Sequence, residues 1–235
     1  MIWRWVIFFS ALPLLGASVS GRVDLRDSRD PAVRKKLDYS GVVISLKPVD
    51  GAADPRPAVP LARMAQKNKT FVPHVLAVQV GASVEFPNLD PIFHSAFSNY
   101  NGQLFDLALY PPGSTRTVRF RREGIVRVFC NIHSSMSAVI VVLGTPYFAT
   151  TRRDGSFAIT NVPPGDYRLE VFHERATEVT REALERRVTV GAAPLELPEI
   201  TISEAGYLPI PHKNKYGRDY PAQPDDHSIY PAVRD

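Results

Sequence analysis

The chain has 235 residues, 44% of them hydrophobic and 22% charged, and a formal net charge of +4 at neutral pH. So mild a positive excess, with no interleaved basic and aromatic recognition motif, argues against a nucleic-acid partner. With 21 prolines, 14 glycines and one cysteine, the chain has neither the pattern of a long-helix protein nor the paired cysteines of a disulfide scaffold.

Residues 1–20 read as a secretory signal peptide. Arg4 supplies a short positive region, Val6 to Leu15 is apolar, and Gly16-Ala17-Ser18-Val19-Ser20-Gly21 is a run of small residues and one valine, with cleavage expected after Ser18 or Ser20. A retained anchor is the competing reading. Pro13 and the shortness of the apolar run oppose it, since a span needs about 20 apolar residues. No later segment is long and apolar enough to cross a bilayer, so the expectation is an exported, periplasmic protein without a membrane span after cleavage. Removing Arg4 with the leader leaves 27 basic against 24 acidic residues.

From Gly21 onward, short apolar runs are cut by Gly, Pro, Asn and Asp, a pattern that reads as all-β. Strands are expected at Gly41–Pro48, Val75–Val80, Ser83–Phe86, Thr115–Phe120, Gly124–Phe129 and Ser137–Leu143. Arg29–Leu37 suits one short helix, and Pro48–Pro60 suits an exposed loop. The turn signal Leu143-Gly144-Thr145-Pro146 places a boundary near residue 145. Beyond it a smaller strand set is expected at Tyr147–Thr150, Ser156–Thr160, Asp166–Phe172 and Arg187–Val190, with Asp154-Gly155 as a hairpin turn. Glu178–Arg187 has helical propensity but reads equally as a charged strand-loop region. The strand from Gly41 to Lys47 belongs to either module. The last 33 residues, 203–235, carry five prolines and four tyrosines without periodicity and read as an extended tail.

The chemistry concentrates in Phe129-Cys130-Asn131-Ile132-His133-Ser134-Ser135-Met136. A thiolate, an imidazole and a thioether lie within one short run, the ligand set that suits copper cycling between Cu(I) and Cu(II). In an exported chain the lone Cys130 has no disulfide partner. An electron-transfer copper site needs a second imidazole, and His94, thrown into a loop by Asn88, Asp90 and Pro91, is the best placed to supply it. The residues alone leave open a buried core thiol beside a surface imidazole. His74, after Pro73 in a strand-like run, reads as a further ligand or as an exposed strand histidine. His173, His212 and His227 read as structural or solvated. Phe97, Tyr100, Phe105 and Tyr110 form either an aromatic lid over the site or core packing. Arg116, Arg119, Arg121, Arg122 and Arg127 make either a basic docking patch or a solvated sheet face.

The stretch from Phe71 to Val142 resembles the cupredoxin (blue copper, plastocyanin- and amicyanin-like) family. The resemblance rests on Phe71-Val72-Pro73, on Val80-Gly81-Ala82-Ser83-Val84-Glu85-Phe86-Pro87-Asn88-Leu89-Asp90, on His94, and on the Cys-x2-His-x2-Met spacing from Cys130 to Met136. That short ligand loop is similar to the loop of amicyanin, the cupredoxin of methylamine utilisation. The resemblance implies one copper ion, with His94, Cys130 and His133 as equatorial ligands and Met136 as the axial one. Ser95 stands where many cupredoxins have an asparagine. Phe148 to Phe172, with Asp154-Gly155-Ser156-Phe157 and Val162-Pro163-Pro164-Gly165-Asp166-Tyr167, resembles the carboxypeptidase regulatory-like (transthyretin-like) sandwich, which implies an accessory fold and no peptidase activity.

The expected plan is therefore a signal peptide (1–20), a cupredoxin-like Greek-key sandwich (21–144), a second small β-sandwich (145–202) and a Pro/Tyr-rich tail (203–235). The expected function is single-electron transfer through type 1-like copper to a redox partner protein, a cytochrome or oxidoreductase. Copper storage or delivery is the alternative. An enzyme with Cys130 as nucleophile is disfavoured, because nothing orients a histidine base and Met136 would have no task.

Overall fold

The computed structural model describes residues 16–50, 61–99, 102–209 and 211–221. Most of the leader, most of the expected loop at 48–60, Tyr100, and the end of the tail with His227 lie outside the described residues. The chain opens with β1 (Ala17–Arg26), α1 (Pro31–Lys36) and β2 (Val43–Pro48). Ten strands follow: β3 (Leu61–Arg63), β4 (Ala65–Lys67), β5 (Thr70–Val72), β6 (Val75–Gln79), β7 (Ser83–Pro87), β8 (His94–Ser98), β9 (Phe105–Tyr110), β10 (Thr115–Arg119), β11 (Gly124–Phe129) and β12 (Ser137–Leu143). The last set is β13 (Phe148–Thr150), β14 (Ser156–Val162), β15 (Gly165–Phe172), α2 (Glu178–Leu184), β16 (Arg186–Val190), β17 (Leu195–Glu196) and β18 (Ile200–Ser203). The fold is all-β, as its alternating patterns imply.

Strands β3 to β12 form one sandwich. Its sheets run β10-β7-β3 and β6-β12-β11-β8-β9, with β4 and β5 as a separate hairpin. The other sandwich pairs β14-β1-β17, with β18 also on β1, against β13-β2-β15-β16. Here the pairing departs from the linear plan: β1 and β2, in the first 48 residues, hydrogen-bond to strands after residue 147. The β3–β12 sandwich is thus threaded between the two parts of its neighbour. Local pattern could show that Gly41–Lys47 is a strand, but not which distant strand completes its ladder. Ala17 to Ser20, inside the expected leader, lie in β1, with Val19 fully buried in the same core as Ile159.

Asp154 and Gly155 do make a tight turn, Gly155 N–H donating to the Arg152 carbonyl at 2.9 Å. Its flanking strands β13 and β14 nevertheless enter different sheets. Gly155 has φ +81°, and a Cβ there would fall 2.2 Å from the Val23 carbonyl oxygen, so only glycine lets β1 pass so close.

Strand β12 explains how the sandwiches adhere. Ala138, Ile140 and Val142 point into one core, together with Phe86, Val126 and Cys130. Val139, Val141 and Leu143 point the other way and pack with Val43, Phe148 and Phe172 of the second sandwich. A strand buried on both faces must read as a continuous apolar run, which Ala138–Leu143, the whole of β12 after Ser137, does. Each such valine contributes roughly 1.5–3 kcal/mol through burial.

A polar clamp reinforces this joint. His74 Nδ1 donates to the Ser137 carbonyl at 3.1 Å while Nε2 meets the Glu174 carboxylate across the joint. Two acceptors on one ring favour the doubly protonated imidazolium, and the hydrogen bond to Glu174 raises the His74 pKa despite partial burial. Burial works against the Glu174 carboxylate, but His74, Arg127 and Arg175 outweigh it and hold its pKa below the ordinary value. The His74 contribution is complete below its reference pKa of 6.5 and is lost as pH rises through the raised folded value. The Glu174 contribution is complete above 4.5 and is lost as pH falls through the lowered folded value. Wild-type protein should therefore exceed Glu174→Gln in thermal midpoint most clearly at about pH 5.5, the gap narrowing above neutrality. A gap that stays constant from acid to alkaline pH would show that the clamp is not electrostatic.

Candidate metal centre

Asn88 follows β7 and organises the turn that delivers the first imidazole. It is fully buried; its side-chain amide donates to the carbonyls of Ile92 at 2.8 Å and Tyr110 at 3.3 Å, and its Oδ1 accepts the Asp90 N–H at 3.1 Å. Asp90 is in turn gripped by the β4–β5 turn, whose Asn68 and Lys69 have φ near +53° and +54° and aim their N–H groups at its carboxylate at 2.6 and 2.8 Å. The Asp90 carboxylate then accepts from His94 Nε2 at 2.8 Å. That bond fixes the ring so that Nδ1 faces the site, the arrangement in which a carboxylate orients a metal-ligating histidine. His94 therefore opens β8 and does not sit in a free loop.

Cys130 and His133 come from the segment between β11 and β12. Cys130 N–H donates to the Met136 carbonyl and Met136 N–H to the His133 carbonyl, both at 3.1 Å, which closes the loop into a compact turn. The structure brings His94, Cys130 and His133 together, with their ligand atoms all within 4.8 Å of one another. Cys130 Sγ lies 3.9 Å from His94 Nδ1 and 3.7 Å from His133 Nδ1. With metal–nitrogen and metal–sulfur bonds of about 2.0 and 2.3 Å at about 120°, two such atoms stand about 3.7 Å apart. The donor set therefore fits one metal ion in a near-trigonal plane. Met136 is fully buried in the core cluster that contains Cys130. His94 and Cys130 have no solvent exposure and His133 only 7%.

Burial pushes the Cys130 thiol up, but hydrogen bonds from His133, His94 and the backbone of Ile132 and Ser95 outweigh it and bring its pKa down to about 5. For His94 burial opposes the charged form, while Cys130 and Asp90 raise its pKa above the ordinary value. Ser95 has a defined task. Its hydroxyl accepts the Asn131 N–H at 2.8 Å and lies 3.8 Å from Cys130 Sγ, so it ties β8 to the ligand loop and faces the sulfur.

Other residues singled out by sequence take different places. His74 lies in the joint between the sandwiches and outside the His94–Cys130–His133 group. His173 is buried against Glu204, which also accepts from Arg175 and Ser28. Phe105 packs on Phe86 and Phe120, Phe97 packs on Phe129, and Tyr110 is fully buried, so these three belong to the packing and not to a lid. Arg127 lies 3.9 Å from Glu174, and it is exposed like Arg116, Arg119, Arg121 and Arg122. Sequence reasoning missed the roles of Asp90, of the Asn68-Lys69 turn and of the tail residues His212 and Tyr220. Asp90 carried a signal: an acid four residues before a candidate ligand.

No family model matches the sequence, and no curated protein matches it. Solved structures that resemble the chain include a copper-containing nitrite reductase from Thermus scotoductus SA-01, 23% identical over 52% of this chain and 28% of that one, TM-score 0.34. The chain thus spans under a third of that enzyme. A purple cupredoxin from Nitrosopumilus maritimus matches at 23% identity over 35% of this chain and 99% of its own, TM-score 0.32. A Cu(I) amicyanin variant matches at 15% identity over 35% and 82%, TM-score 0.34.

Replacing Ser95 by alanine leaves the Asn131 N–H without its acceptor. Denaturant unfolding of the metal-free protein should show a loss of about 1–3 kcal/mol. Ser134→Ala, at an exposed side chain of the same loop, should stay within about 0.5 kcal/mol of wild type. Equal effects of the two changes would remove Ser95 from its bridging role.

Proposed function

We propose that this chain is an exported copper protein that carries single electrons. The observation that supports it best is the buried group of two Nδ1 atoms and one thiolate sulfur, held at the spacing of a trigonal site by contacts that exist without metal. When bound, copper supplies one-electron chemistry between Cu(I) and Cu(II). His94, Cys130 and His133 would hold it, with Met136 as the weak axial ligand. Asp90 orients His94, and the Ile132, Ser95 and loop amides keep the sulfur a hydrogen-bonded thiolate. Because these ligands are pre-set and sheltered from water, little has to move when charge changes. Storage or delivery of copper would use the same atoms, but would need the ligands to be exposed to a recipient. We read the second sandwich as an accessory module, and the exposed Arg116, Arg121 and Arg122 as a surface that steers an acidic redox partner.

Among the described residues, no helix is long and apolar enough to cross a membrane. Export rests on the reading of the first 20 residues as a leader. Of the two expected cleavage points, the one after Ser20 would remove Val19 from its core, and the one after Ser18 would keep it. Mass spectrometry of the exported protein should therefore find an N-terminus no later than Val19, and a mature chain starting at Gly21 would contradict this placement.

Adding Cu(II) to metal-free protein should produce an intense visible thiolate-to-copper band that Cys130→Ser abolishes. Asp90→Asn should keep the band but weaken copper affinity by about 10- to 100-fold. Tight binding of Cu(I) alone, without any coloured Cu(II) form, would favour delivery. No binding of either ion would sink the copper reading.

A further inference from the structure

The chain beyond β18 returns across the molecule to the loop that carries Cys130, His133 and Met136. Three donors from residues 211–221 reach three acceptors on that loop. The Tyr220 hydroxyl donates to the Cys130 carbonyl at 2.7 Å, the Lys215 N–H to Asn131 Oδ1 at 3.0 Å, and His212 Nε2 to the Ser134 carbonyl at 2.7 Å. The His212 ring also stacks on Phe129, the residue before Cys130, with centroids 4.0 Å apart and planes at 26°. Tyr220 packs edge-on to His212 at 5.2 Å and 83°.

This segment has structure of its own. Asn214 Oδ1 accepts the N–H groups of Tyr216 and Arg218, and Asn214 N–H donates to the Arg218 carbonyl at 2.9 Å, which closes a turn over 214–218. Lys215 Nζ then anchors that turn to Asp106 of β9 at 2.8 Å. The segment is therefore fastened to β9 and β11 as well as to the loop between β11 and β12.

We propose that residues 211–221 are a working part of the metal centre: a strap that positions the ligand loop and slows its opening, so that the site retains its copper. The claim of retention rests on the copper reading above; the claim of loop ordering does not. Cys130, Asn131 and Ser134 all present acceptors on the outward side of the loop. In a strap-free protein those groups would turn to water, and the loop would open with only the Cys130–Met136 and Met136–His133 backbone bonds and the Ser95 contact to restrain it. Tyr220, Lys215 and His212 act through the ligand loop, so they are positioning residues.

The test compares full-length wild type with Tyr220→Phe, His212→Ala and a chain ending at Leu208. Amide hydrogen exchange across residues 131–136 is measured on metal-free protein, and Cu(I) loss to an excess of a colorimetric chelator on loaded protein. Tyr220→Phe removes one hydroxyl and keeps the ring, so it should fold even if the shortened chain does not. The expected result is loop exchange and Cu(I) loss about tenfold faster in Tyr220→Phe, and faster still on truncation, with exchange in β7 and β12 unchanged. Unaltered exchange and unaltered Cu(I) loss in all variants that fold would overturn the strap. Wild type that takes up no copper would overturn retention and the copper reading together, while the exchange data on the metal-free protein would still decide whether the strap orders the loop.

Discussion

A sulfur without access to water sets the terms for this molecule. Burying a thiolate is unfavourable unless donors surround it, and Cys130 is fully buried. Its surroundings answer that demand from several directions, with His94 and His133 Nδ1, the Ser95 hydroxyl and the backbone of Ile132 and Ser95 gathered around it. Each donor then needs its own support. His94 is held by Asp90, Asp90 by the amides of the β4–β5 turn, and Asn131 by Ser95. The site is the inner end of a chain of hydrogen bonds that reaches into three different strands or turns, and its geometry is set before any ion arrives.

The two-faced strand β12 links that site to the body. The ligand loop has β11 at one end and β12 at the other, and β12 is packed by one core on one side and by the second sandwich on the other. A strand so confined has little freedom to twist or slide. The second sandwich therefore contributes to the site without touching it, by fixing one end of the loop, and the His74–Glu174 clamp adds a polar bond at the same joint. Threading one sandwich between the two parts of the other lets N-terminal and C-terminal strands share a ladder and leaves the β3–β12 sandwich anchored at both of its chain ends.

What could be read from the sequence divides by range. Strands with strong alternation or continuous apolar character, such as Val75–Gln79, Thr115–Arg119 and Ser137–Leu143, lie where pattern places them. The helices at Pro31–Lys36 and Glu178–Leu184 lie within the segments whose propensity suggested them. The cluster of His94, Cys130 and His133 was legible because ligand chemistry restricts residue types and spacing. Partnerships across long separations were not. Nothing local in Val19 says that it faces Ile159, or that residues 17–26 are a strand and not the tail of a leader. Nothing in Pro-Tyr-rich composition says that Tyr220 meets the Cys130 carbonyl, 90 residues away. Ser95 looked like a departure from a family pattern because the pattern expects a side-chain amide there, yet a hydroxyl can accept from Asn131 and face the sulfur at once. Hydrogen-bonding capacity, more than residue identity, is what that position requires.

The choice between carrying electrons and handing on copper turns on what must move. To give up an ion, a protein has to expose its ligands to a recipient and replace its own bonds one at a time, which favours ligands on a mobile, open loop. Here His94, Cys130 and Met136 are fully buried, and the backbone on the outward side of the ligand loop is already engaged by the returning chain. Electron transfer asks for the opposite qualities: fixed ligands, exclusion of water and small rearrangement as charge changes. The same hydrogen bonds that make the buried sulfur tolerable would all have to be exchanged for it to leave the site. Under the proposed copper reading, a centre whose ligands are buried and whose loop is engaged from outside is poorly suited to handing copper to a recipient, which supports the proposed electron carrier over delivery.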